Sequence, residues 1–174
     1  MPPETVQELL QKYSGPVLPL TKTGKCNKPD ASSILGVSPN QLFPGGRAPE
    51  AALSGLLLLL GCWDESHQVS QDLSSREGSY WHAIAHRIEP DSSNAGYWFR
   101  RVGEHPVFPE VHRSASAVLD RYRTSWKLKP AWDPFLFVDW CEEARSAPNS
   151  YNERAALEIQ RAEWDLLFQW CAWA

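Results

Sequence analysis

Ala51-Ala52-Leu53-Ser54-Gly55-Leu56-Leu57-Leu58-Leu59-Leu60-Gly61-Cys62-Trp63 is a run of thirteen residues with no charge and no one-sided apolar pattern. A segment that is apolar all the way round is stable in water only when other elements enclose it. It falls short of the roughly 20 residues needed to span a bilayer as a helix. The run therefore reads as the central buried helix of an all-α protein, opened by Pro49 and continuing to about Ser66.

Helix signals continue toward the C-terminus. Ser74 and Glu77 have capping-box spacing before a helix over about 75–89, which ends at Pro90 because the residue before a proline disfavours helical geometry. Asp91 can cap a helix over about 92–102 that stops at Gly103. Pro109 opens a further helix to about Lys127, with Val111, Ala115, Val118 and Tyr122 as its apolar stripe. Asp133-Pro134 begins a helix to about Arg145, and Ser150 with Glu153 begins the last, over about 151–171. The closing run from Trp164 to Ala174 is too rich in large apolar groups for a loose tail; it is expected to dock in the core or to form a homodimer interface.

Upstream of Pro49 the character changes. Eight of the 14 prolines and five of the 10 glycines lie in the first fifty residues, too dense a punctuation for long helices. Residues 1–48 are expected to form an extended or loop-rich wrap, with one short helix over about 3–12, on a helical body spanning 49–174. The segment from Thr21 to Asp30, with Lys22, Lys25 and Lys28, reads as a mobile loop. No strand alternation and no internal repeat is visible after residue 49, so the expected fold is one irregular multi-helix bundle.

The composition narrows the function. At 174 residues, 43% hydrophobic and 22% charged, the chain can bury one substantial core. A net charge of −4 supplies no basic surplus for a phosphate backbone, so no nucleic-acid partner is expected, and no membrane partner either. The N-terminus lacks the basic start and apolar centre of a secretory signal, which makes cytoplasmic the expected location. Cys26, Cys62, Cys141 and Cys171 form no CxxC pair and are expected to be reduced core thiols.

There is no phosphate-binding glycine loop, dinucleotide fingerprint or GxSxG elbow. What remains is histidine. His82, His86 and Glu89 fall within about 60° of one another on a helix. Imidazoles four residues apart can share a metal, with His67 as the third ligand and zinc the foremost candidate. Ala83 stands where a zincin would have Glu. Glu65 or Glu89 is the expected general base, and three histidines leave a position open for water. The competing reading makes the same residues a solvated polar face. Gly78 in this helix implies close approach by a backbone or a ligand, or a propensity cost that is simply tolerated. Tyr97, Arg100, Arg101 and His105 follow closely and are expected at the rim of the same cleft, where aromatic rings and cations would hold a small polar or anionic molecule. The function expected from these residues is that of a metal-dependent hydrolase; the alternative is a metal-free ligand-binding or structural protein. Asp139 and Glu163, each set among apolar residues, need a partner if buried.

Overall fold

The computed structural model describes residues 4–15 and 18–174. It is all-helical, with ten helices and no strand among the described residues. In chain order they are α1 (Glu4–Lys12), α2 (Lys28–Leu35), α3 (Pro39–Leu42), α4 (Pro49–Leu59), α5 (Trp63–Gln71), α6 (Arg76–Ile88), α7 (Ser92–Val102), α8 (Phe108–Arg121), α9 (Pro134–Ser146) and α10 (Tyr151–Ala172). The expected start of α1 at Pro3 lies outside the described residues.

The central helix is where the sequence put it, but it is shorter. Every residue of α4 except Glu50 is buried, enclosed by α3, α5, α6 and α10. It does not run to Ser66. Gly61 takes φ +73°, and a Cβ there would lie 2.3 Å from the Lys25 carbonyl oxygen, so the chain breaks and restarts as α5. Asp64 and Glu65 in the first turn of α5 complement the positive end of its dipole.

Side-chain caps mark the other starts. Ser75, Asp91, Asp133 and Ser150 accept from the backbone N–H groups of Gly78, Asn94, Phe135 and Glu153 respectively. Helix α8 ends at Arg121 rather than near Lys127, as the chain turns away beyond it. The last helix docks in the core: Trp164, Leu167, Phe168 and Cys171 are all buried within the chain.

The N-terminal wrap contains three short helices and is tied down where mobility was expected. Cys26 and Cys62 form a disulfide, contrary to the expectation of reduced thiols; Cys141 and Cys171 are free and buried. Lys22 pairs with Asp64 at 2.8 Å and lies over the Trp63 ring, and Lys28 pairs with Glu65. Residues 21–30 are thus anchored to α5. Their 36-residue separation from Cys62 left no local spacing that could reveal the bond. No helix among the described residues is long and apolar enough to cross a membrane.

Candidate metal centre

Helices α5 and α6 meet through the short connection at 72–75, and Gly78 makes that meeting close. A Cβ on Gly78 would lie 2.3 Å from Leu73 Cβ, so the glycine serves helix packing and not ligand approach. Trp63 Nε1 donates to the Ala85 carbonyl at 2.7 Å and pins the start of α5 to α6. This packing brings three of the five histidines together: His67 from α5, and His82 and His86 from α6. One ring nitrogen of each lies within 4.8 Å of the others. His82 and His86 are buried and His67 is half-buried, so the solvated-face reading fails. Periodicity placed them on one face but could not say that another helix covers it.

The hydrogen bonds limit which nitrogens are available. Ser70 Oγ lies 2.9 Å from the Ser66 carbonyl oxygen and 3.1 Å from that of His67, both acceptors only. It also lies 3.1 Å from His82 Nδ1, to which it donates or from which it accepts according to the tautomer of that ring. On the other ring, His86 Nδ1 donates to Glu89 Oε2 at 3.0 Å. The Nε2 atoms of His82 and His86 are 3.0 Å apart: they are joined by a hydrogen bond when one of them carries a proton, and both turn lone pairs to a metal ion when neither does.

The surroundings favour the uncharged form of His67 and His82. Burial, reinforced by His67 and His86, pushes His82 down to about 3, and burial together with His86 also lowers His67. Trp63 stacks on His67 with ring centroids 4.7 Å apart, and Trp98 lies 4.1 Å from His82. The His67 ring is 4.3 Å from that of His82 and 5.1 Å from that of His86.

The expected acids separate. Glu89 is at the site, hydrogen-bonded to His86, with its side chain 37% exposed. Glu65 is not: it is two residues from His67 on α5, hence nearly opposite around the axis, and its carboxylate is held by Lys28 beside the disulfide sulfurs. Ser70, which hydrogen-bonds His82 Nδ1, had a sequence signal in its spacing of three from His67 but carried no chemistry of its own to draw attention.

The rim residues also divide. Trp98 packs on His82, with Arg101 5.3 Å from the Trp98 ring centre and exposed Tyr97 edge-on to Trp98. Arg100 lines a separate groove. His105 is a core residue: beyond Gly103 the chain turns inward and packs it against Tyr80, Phe108 and Trp170, with Nε2 3.5 Å from Glu77 Oε1. Asp139 is exposed and needs no partner, whereas Glu163 is fully buried and has two, Arg87 and Tyr80.

Comparison with known proteins finds no matching family model, no matching curated protein and no matching solved structure.

Proposed function

We infer that His67, His82 and His86 bind a first-row divalent metal ion, zinc foremost, and that the function of the protein resides in that centre. The observation that carries this reading is the convergence of three ring nitrogens, one each from His67, His82 and His86, within 4.8 Å of one another, with Nε2 of His82 and His86 3.0 Å apart. Two nitrogens on one zinc ion can be at most about 4.2 Å apart, twice the bond length, so this pair can share an ion as it stands. Half-buried His67 has only a short distance to close.

Glu89 and Ser70 would orient the ligands from behind, the arrangement that raises imidazole basicity and fixes ring direction. Three imidazoles leave a fourth position for water, whose activation supports hydrolysis of a small polar or anionic molecule. In this arrangement Glu89 is a positioning residue, while its exposed edge faces the side from which such a molecule would arrive. The competing reading leaves the two Nε2 atoms joined by a hydrogen bond between neutral rings, with Ser70 donating to His82 Nδ1, which would make the trio a metal-free core element.

Metal analysis separates the two. Untagged protein purified under zinc-replete conditions is expected to retain one equivalent of metal. His82→Ala and His86→Ala should lose it while remaining helical by circular dichroism, and Glu89→Gln should weaken zinc binding by about 10–100-fold in chelator competition. Wild-type protein that retains no metal under those conditions contradicts the reading.

A further inference from the structure

The largest groove described, about 690 Å³, does not include the histidines. It lies between the C-terminal end of α7 and the segment that leads into α9, and its volume suits a small organic molecule. Phe99, Phe108 and Phe135 supply aromatic walls, and Phe135 is 41% exposed, unusual for so large an apolar group. Trp132, also in the lining, is buried, and its indole Nε1–H has no hydrogen-bond partner.

Charge completes the description. Lys129 and Asp133, both in the lining, neutralise each other. Arg100 and Glu104 also line the groove, and neither has an ion-pair or hydrogen-bond partner among the described residues. The groove therefore offers one unpaired cation, one unpaired anion and aromatic walls.

We propose that this groove binds an aromatic α-amino acid, or a molecule of the same zwitterionic chemistry. Its carboxylate is taken by Arg100, its ammonium by Glu104, and its ring by Phe99, Phe108 and Phe135. Arg suits the carboxylate because its planar fork can donate two hydrogen bonds at once. A simple anion would leave Glu104 facing it unpaired, and a simple cation would do the same with Arg100. The site is separate from the metal centre but shares α7 with it, for Trp98 on that helix packs against His82 while the next two residues line the groove.

The test uses the full chain and three probes: L-phenylalanine, 3-phenylpropionate, which lacks the ammonium, and phenethylamine, which lacks the carboxylate. Binding is read from the Trp132 indole N–H resonance, assigned with Trp132→Phe, and from calorimetry. L-phenylalanine is expected to shift that resonance and to bind about tenfold or more tightly than either truncated probe. Arg100→Gln and Glu104→Gln should each weaken L-phenylalanine by about tenfold, and Glu104→Gln should not weaken 3-phenylpropionate. Both side chains are exposed, so the variants are expected to melt as wild type does. No shift with L-phenylalanine, equal affinity for the truncated probes, or unchanged affinity in both variants would overturn the proposal. His82→Ala, which removes a proposed metal ligand, should leave this binding intact, so the two sites stand or fall separately.

Discussion

Helix α6 buries polar groups on opposite sides, and the two sides differ in how they neutralise them. Toward α10, Arg87 pairs with Glu163, both side chains being fully buried; Tyr80 donates to the same carboxylate at 2.9 Å, and Gln160 accepts from Arg87 at 3.3 Å. The guanidinium also lies over Phe137. Charge is matched there within the chain. Toward α5, three imidazoles are gathered with one partly exposed acid, and the nitrogens left over face each other. The first arrangement balances its charge within the chain, although Arg87 Nε and Nη1 have no hydrogen-bond partner among the described residues, whereas the second gathers three imidazoles that can share a metal ion. An unpartnered polar atom is therefore not in itself a sign of function; the convergence of metal-ligating atoms is the better guide.

The largest effect should come from the closed side. Glu163→Ala strands the Arg87 charge in the core and is expected to cost about 3–5 kcal/mol in denaturant unfolding, with zinc binding per folded molecule unchanged. A loss typical of a surface substitution would show that the pair is not buried as described. Removing the Cys26–Cys62 tether by reduction should cost about 2–4 kcal/mol, because the bond closes a 36-residue loop onto the start of α5; equal unfolding midpoints with and without reductant would argue against it. Gly78→Ala gains about 1 kcal/mol of helix propensity but drives a Cβ into Leu73 at the α5–α6 junction. A net loss of about 1–3 kcal/mol is expected, and a more stable variant would mean that the two helices meet less closely.

A smaller effect should appear at low pH. The His105 imidazole beside Glu77, helped by Trp170, holds that carboxyl at about 2, against an ordinary value of 4.5. Because the folded value lies below the unfolded one, the contribution is fully present above pH 4.5 and is lost as pH falls from there toward 2. Glu77→Gln should flatten the stability profile in that window, and an unchanged slope would assign the acid sensitivity to other carboxylates.

Much of the scaffold was legible because helix starts carry local chemistry. Asp91, Asp133 and Ser150 act as the caps their positions suggested, whereas the cap of α6 is Ser75, one residue beyond the expected Ser74, and the run after Pro49 is the enclosed helix. Gly61 was hidden inside that apolar run, although the acids at 64 and 65 announce a second start. The two α6 histidines shared a face on paper, but only tertiary packing shows that α5 closes over them and that Glu65 points away. Arg87 and Glu163 are 76 residues apart, and Cys26 is 36 from Cys62, so neither pairing leaves a local pattern to read.

The claim that the α5-facing side of α6 awaits a metal is tested most directly by a crystal structure of untagged, zinc-replete protein measured on both sides of the zinc absorption edge. The account predicts one anomalous peak about 2.0–2.1 Å from Nε2 of both His82 and His86, with His67 drawn in as the third ligand. No peak there, with the two Nε2 atoms still joined at hydrogen-bond distance, would contradict it.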